Sequence, residues 1–247
     1  MAFGAADFEV EQSDFVRHEL TPTTFKKTSL NPKWKVDFFG NSYLPSRPFN
    51  RERIRNEINA LQLISSHTSI PVPRLLDWGE NPDGSIFLQT ERVHGIKLSE
   101  VGNTCRMPSG LKHNKGGYCG DCMATAKSNA AAFIQDVVLP ELSKLRSNTM
   151  GLQGIVIPPA FLLERDKRTR WEAKTADSQK YVFVFGDLVL HNIMMDPVTL
   201  KLICIFDLEH SGYFTPECQR WFLDVETYRS AYDDYGGLDE LIGSIDA

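Results

Sequence analysis

The tightest constraint on this fold lies between Tyr181 and Phe206. Three short apolar runs, Tyr181 to Phe185, Ile193 to Met195 and Leu202 to Phe206, are separated there by turn chemistry. Each run is too short for a stable helix and reads as a buried strand. Gly186 lets the chain turn sharply, so that Asp187 projects from the loop after the first strand. Asp196-Pro197 starts the reversal after the second, because proline suits the first central position of a turn. If that reversal is centred between Thr199 and Leu200, Asn192 faces Asp207 on adjacent antiparallel strands, with Cβ atoms about 4.5–5.5 Å apart.

This spacing puts an aspartate, an asparagine and a second aspartate in one place, the set that phosphoryl transfer from ATP requires. Asp187 would orient the attacking hydroxyl and accept its proton, a geometric task that needs little pKa perturbation. Asp207 and Asn192 are hard oxygen donors and would hold Mg²⁺ on the nucleotide phosphates. Glu209, His191 and His210 flank these residues; the histidines read as exposed loop groups and Glu209 as a helix or loop charge.

Upstream, residues 7–20 are expected to form a short amphipathic helix. Thr23 to Leu30 and Lys33 to Phe39 read as strands about an Asn31-Pro32 turn, the second half-buried because Trp34, Val36 and Phe38 alternate with Lys35 and Asp37. A helix is expected over Arg51 to Ser65, capped by Asn50, with Ile54, Ile58 and Leu61 on one face. Glu57 falls on that face, where a carboxylate is expensive unless a cation pairs with it. Lys35 is the candidate partner, holding the α- and β-phosphates; Lys26, Lys27 and Lys33 are the alternatives.

Ile70-Pro-Val-Pro73 must be extended. Leu75 to Trp78 and Ser85 to Val93 form a hairpin around Asn81-Pro-Asp-Gly84, and His94-Gly95 follows as a hinge. Residues 102–123 lose periodicity and read as an inserted loop. A helix from Ala124 to Arg146 breaks near residue 139, before Pro140, and Leu163 to Lys180 is polar and exposed. The loop carries Cys105, His113, Cys119 and Cys122. Cys-x-x-Cys is a legitimate zinc element, but one such pair in a glycine- and lysine-rich stretch reads first as a plain insertion. Cys204 reads as an inert core thiol.

At 247 residues the chain fits one large domain or two lobes. A net charge of −5 without a basic block argues against nucleic acid. No apolar run reaches the roughly 18 residues a membrane span needs. The first nine residues lack a secretory pattern, and five cysteines suit a reducing compartment with free thiols. A cytoplasmic protein is the expectation, its oligomeric state open.

Phe185-Gly-Asp187-(x)4-Asn192 followed by Ile205-Phe-Asp207-Leu-Glu209 resembles the aminoglycoside phosphotransferase and choline kinase branch of the protein-kinase-like fold. Members typically read His-Gly-Asp-(x)4-Asn and Ile-Asp-Trp-Glu. That pattern implies that Glu209 helps shape the active-site floor. Arg55-Asn-Glu57-(x)3-Leu61 and Ile70-Pro-Val-Pro-Arg74 are similar to the family's N-lobe helix and its exit. Leu88 to Gly95 is similar to its hinge, which implies that backbone groups of Glu91 and Val93 meet the adenine. The layout of Leu145 to Asn148 and Gly154 to Pro159 is similar to fungal members. The resemblance spans roughly residues 50–215. It implies an α+β two-lobed fold, with a nucleotide-binding N-lobe over 1–93 (antiparallel sheet and one helix) and a mainly helical C-lobe over 94–247. It also implies an ATP-dependent kinase acting on a small hydroxylated molecule. Phe185 stands where histidine is usual, Leu208 where tryptophan is usual, and no glycine-rich loop precedes Lys35. A catalytically silent nucleotide-binding or scaffold protein is therefore the rival reading.

Overall fold

The structure, a computed structural model, describes residues 8–246; most of the N-terminal stretch read for a secretory pattern lies outside them. Strands β1 (Glu9–Gln12), β2 (Val16–Leu20) and β3 (Thr24–Ser29) open the chain as an antiparallel meander. The helix expected over 7–20 is therefore replaced by a hairpin. Its turn is set by Ser13, whose hydroxyl oxygen accepts from the N–H groups of Phe15 and Val16 at 3.2 and 3.0 Å, a local bond that competes with helix.

The chain leaves the sheet after β3. Strands β4 (Lys35–Val36) and β5 (Ser42–Tyr43) pair only with each other. The half-buried strand expected over 33–39 is not formed: Trp34 is 71% and Phe38 96% exposed. Alternation alone could not supply a surface for this segment to pack on.

Helix α1 (Asn50–His67) follows. Its N-cap is Phe49, in the left-handed region at φ 60°, with no side-chain cap. Asn50 instead donates through Nδ2 to the carbonyls of Phe15 and Leu30, at 3.1 and 3.0 Å, bracing the helix start against both ends of the β2–β3 hairpin. Strands β6 (Leu75–Glu80) and β7 (Ile86–Glu91) complete a five-stranded antiparallel sheet ordered β1-β2-β3-β7-β6. Ile54 and Ile58 of α1 pack on Ile86 and Leu88, while Ala60, Leu61 and Ile64 enter a second, larger core. One helix thus joins the sheet to the rest of the molecule.

Beyond β8 (Ile96–Lys97) comes a 3₁₀ turn over Leu98–Asn103, then α2 (Gly120–Phe133) and α3 (Leu139–Lys144). A π-helical turn over Ile134–Val138 separates these helices. Pro140 consequently sits in the first turn of α3, where its missing N–H is not needed; the break expected near residue 139 thus begins five residues earlier. Strand β9 (Arg146–Ser147), α4 (Ala160–Arg165) and β10 (Tyr181–Val184) come next. The segment over 163–180 is less exposed than expected, because Leu163 and Trp171 are buried and Arg168 lies over the Trp171 ring at 4.1 Å.

Strands β11 (Leu188–Val189), β12 (Ile193–Met195), β13 (Leu202–Ile205), β14 (Gly212–Phe214) and β15 (Trp221–Phe222) then lead to α5 (Val225–Asp233) and α6 (Tyr235–Asp246). The larger core gathers Leu98, Ala126, Ile134, Phe183, Phe185, Ile193 and Ile205. Phe161, Val182, Val184, Phe214 and Leu238 form a third cluster. No helix among the described residues is long and apolar enough to cross a membrane.

Asn50 separates two roles cleanly. Aspartate caps helices as well as asparagine does but cannot donate to Phe15 and Leu30. Asn50→Asp should therefore lower unfolding free energy by about 1–3 kcal/mol in urea titrations; unchanged stability would return Asn50 to the capping role.

Candidate active site

Arg53, Asn56 and Glu57 are spaced i, i+3, i+4 on α1 and so share one helix face. From β3, the buried Lys27 donates through Nζ to three carboxylates: Glu57 Oε2 at 2.8 Å, Asp207 Oδ1 at 2.7 Å and Glu209 Oε2 at 2.7 Å. The other oxygen of Glu209 accepts from Arg47 Nη2 at 2.7 Å and Arg53 Nη1 at 2.8 Å. Asn56 Nδ2 donates to the carbonyls of Glu209 and Ser211. Sheet, helix and the segment after β13 therefore meet at one buried ammonium.

The Asp187 loop packs against the same segment after β13. A Cβ at Gly186 would lie 2.1 Å from the carbonyl oxygen of His210 and 2.8 Å from Cα of Pro159. Only glycine lets these backbones approach so closely. Asn192 Nδ2 then donates to the main-chain carbonyl of Asp187 at 2.9 Å and to its carboxylate at 3.1 Å. The β12–β13 register pairs Ile193 with Ile205 and slips at Met194/Met195. Asn192 is thus opposite Phe206, one residue short of the expected pairing, and its carbonyl accepts the Phe206 N–H at 3.0 Å. Asp207 lies just past the strand at φ 63°. That left-handed backbone, which aspartate tolerates better than most residues, re-aims its carboxylate after the slip.

Charge is unevenly compensated. Burial disfavours the Lys27 ammonium, yet Asp207, Glu209 and Glu57 together hold its pKa well above the ordinary lysine value. Burial also opposes ionisation of Glu209, but Lys27, Arg47 and Arg53 hold it well below the usual carboxylate range. Among the described residues Glu57 has Lys27 as its one cationic hydrogen-bond partner, and burial pushes it up to about 7. Asp187 has no cation in contact among the described residues. Burial, and then the charge of Asp207, push it up to about 7, where little perturbation was expected. His210 is buried and its pKa falls to about 4. Its Nδ1 lies 3.0 Å from the Pro158 carbonyl and its Nε2 2.8 Å from Arg53 Nη1. The ring is therefore neutral, with Nδ1 donating and Nε2 accepting, so its 3.7 Å approach to Glu209 is not an ion pair.

Lys35 is not the partner of Glu57. It lies on the exposed β4 and bonds Asp14 Oδ2 at 2.6 Å, because the chain has left the sheet after β3 and β4 pairs only with β5. Glu91, at the end of β7, has its N–H bonded to the Arg74 carbonyl at 3.0 Å. Half-buried Val93 makes no backbone hydrogen bond within the described residues. A cavity of about 300 Å³ opens between Asp207 and the β1–β2 turn, lined by Ser13, Phe15, His18, Lys27 and Arg47. This glycine-free turn stands above the charged cluster. Arg47, Arg53, Asn56 and Gln219 were not legible as site residues; Gln219 Oε1 accepts the Phe185 N–H at 2.9 Å. The one available signal was helical spacing, which puts Arg53 and Asn56 beside Glu57.

The sequence model of a family described as "Phosphotransferase enzyme family" matches residues 43–219. No curated protein matches the chain. Among solved structures, a GDP complex of an aminoglycoside 2'-phosphotransferase-IIIa mutant is 13% identical with a TM-score of 0.50, covering 98% of this chain and 80% of that one. This likeness is one of fold. The GDP and kanamycin complex of APH(2")-IIIa is also 13% identical, at a TM-score of 0.49 over 98% of this chain and 82% of that one. A ternary complex of APH(4)-Ia with AMP-PNP and hygromycin B is 12% identical, at a TM-score of 0.47 over 86% of this chain and 69% of that one.

The electrostatics predict a stability signature. The Asp187 carboxyl ionises near its ordinary 3.8 when unfolded and near 7 when folded. Below both values each state keeps the proton. Between them the unfolded state loses it first, so stability falls as pH rises; above about 7 the penalty is constant. Asp187→Asn should therefore stabilise the nucleotide-free protein by an amount that is small near pH 4, grows to pH 7 and then levels, on the order of 4 kcal/mol. Denaturant midpoints across that range measure it, and a pH-independent difference would contradict the assignment.

Proposed function

This chain belongs to the phosphotransferase enzyme family, and we propose that it transfers the γ-phosphoryl group of ATP to a hydroxyl of a small molecule. The observation that carries this reading is the bonding of Lys27 to both Glu57 and Asp207, beside the Asp187–Asn192 pair. That arrangement provides for the three tasks of the reaction: gripping phosphates, holding a cation and orienting a nucleophile.

Nucleotide phosphates entering the cavity under the β1–β2 turn would meet Lys27 Nζ, which Glu57 keeps in place. Arg47 lines the same cavity and adds positive charge at its mouth. The C=O of Glu91 and the free backbone groups of Val93 would meet the adenine, with residues 1–93 forming the nucleotide lobe and 94–247 the acceptor lobe. Asp207 and Asn192 fit a hard divalent cation: no side-chain hydrogen bond engages Asp207 Oδ2 or Asn192 Oδ1 among the described residues. The raised pKa of Asp187 beside them marks negative charge that lacks compensation. Mg²⁺ held there would neutralise charge on the phosphates.

Asp187 would receive the acceptor's proton. A carboxylate titrating near 7 is matched to that role at neutral pH, and the Asn192 bond fixes its orientation. A second cavity, of about 610 Å³, is bounded by Arg53, Leu163, Glu164, Tyr228, Tyr232 and Asp233. It shares Arg53 and His210 with the site and is the candidate acceptor pocket.

Asp187→Asn should lower kcat by about 10²–10⁴-fold in an ADP-release assay across hydroxylated acceptors, with ATP binding retained. ATP binding without turnover in the wild type would instead favour the silent reading. Lys27→Met should lose at least about 100-fold in kcat/KM, while Lys35→Met, at an exposed pair, should change it little. Equal losses would sink the assignment of Lys27.

A further inference from the structure

The loop after the 3₁₀ turn Leu98–Asn103 is held by an unusual knot of side chains. Cys105 Sγ lies 3.8 Å from His113 Nδ1 and 3.9 Å from Cys122 Sγ. His113 Nδ1 lies 3.4 Å from Cys119 Sγ and 3.6 Å from Cys122 Sγ. All four donor atoms fall within 4.8 Å of one another. Zinc bound by three thiolates and one imidazole has Zn–S near 2.3 Å and Zn–N near 2.0–2.1 Å. A tetrahedron of those radii has S···S edges of about 3.8 Å and S···N edges of about 3.5–3.6 Å. The four edges given above fall within a few tenths of an ångström of these values, and the other two lie within 4.8 Å. From that match we propose that Cys105, His113, Cys119 and Cys122 form a structural zinc site of the Cys₃His type.

Three features favour metal over simple packing. Two backbone N–H groups point at sulfur, Arg106 to Cys122 and His113 to Cys105, each at 3.3 Å; such donors steady thiolate ligands. Cys119 is the N-cap residue of α2, and Cys122 lies in its first turn, where the helix dipole favours negative sulfur. An imidazole nitrogen facing three thiols is also a poor apolar filler, although Cys119 and Cys122 are 1% exposed. Thiolate ligands select zinc over the hard cations that suit Asp207. Binding would release the three thiol protons to solvent and close the tetrahedron with no open position.

The loop is already shaped for closure. A Cβ at Gly102 would lie 2.5 Å from the Tyr118 ring, so glycine lets that ring approach the chain closely. The Cys119 N–H also bonds the Gly102 carbonyl at 2.8 Å. Zinc would staple the 3₁₀ turn to the start of α2, and that turn packs against Leu190–Asn192. The site is thereby structural, and its existence does not rest on phosphotransfer.

The test uses the full chain, purified under reducing conditions without a metal-binding tag. Elemental analysis should find about one zinc per chain. Cobalt substitution should give the thiolate charge-transfer and visible bands of a tetrahedral site. Removing zinc with a chelator should lower the melting temperature by several degrees, and zinc should restore it. His113→Ala, at an exposed position, should fold and lose zinc affinity by more than about tenfold; Cys122→Ser should lose the cobalt bands. Folded wild-type protein that takes up no zinc, that holds iron instead, or that carries a disulfide among these cysteines would overturn the proposal.

Discussion

Everything around the candidate site depends on one buried ammonium. Lys27 comes from the sheet, Glu57 from α1, and Asp207 and Glu209 from the segment after β13. A lysine this deep stays charged only because three carboxylates surround it. The dependence is mutual, since removing one member of a buried pair typically costs 3–5 kcal/mol by stranding the other. Such a cluster is a weak argument for stability and a strong one for position. It fixes the sheet, the helix and the Asp207 loop in one relation, and it makes that relation sensitive to any anion that competes for Lys27.

The second constraint is the surplus of negative charge beside it. Lys27, Arg47 and Arg53 are committed to Glu57, Asp207 and Glu209, leaving Asp187 half-buried with no cation in contact among the described residues. Burial and the charge of Asp207 favour its neutral form there, and positive charge arriving from outside the chain would favour the carboxylate. The backbone is over-determined at the same place. Gly186 lies against the carbonyl of His210, and Asp207 takes a left-handed conformation. Strain and unpaired charge concentrated at one turn are what a binding site looks like before its ligand enters.

The sequence carried the centre of this arrangement and lost its periphery. Asp187, Asn192 and Asp207 were legible because short strands and turn residues leave few registers open. Even there the pairing differs by one residue: the turn-end pair Met195–Leu202 alone would set Asn192 against Ile205, and the slip at Met194/Met195, which no residue type announces, recovers one of those two places. Glu57 was legible as a carboxylate needing a cation, but its partner was not. Lys27 and Lys35 lie on comparable polar–apolar runs; the difference is that Lys27 falls on a strand with neighbours on both sides and Lys35 on a detached pair. Position in a sheet is a long-range property, so periodicity could not choose between them. The N-terminal hairpin was misread for a related reason: a Ser13 bond outweighed a helical pattern of few apolar residues.

The loop over 102–123 shows the same limit from the other side. Its spacing, Cys105-(x)7-His113-(x)5-Cys119-(x)2-Cys122, is irregular enough to pass for an insertion, and its glycines and lysines suggest solvent. What changes the reading is convergence: four side chains with no shared period reach one point with the edge lengths of a metal tetrahedron. Convergence of that kind is costly in chain entropy unless something binds at the centre. At Asp187 the unmet requirement is charge, and at Cys122 it is coordination. The 3₁₀ turn Leu98–Asn103 lies between them, touching the Leu190–Asn192 turn on one side and leading into the cysteine loop on the other. A soft ion at the loop would thus hold in place the element against which the hard-ion site is built.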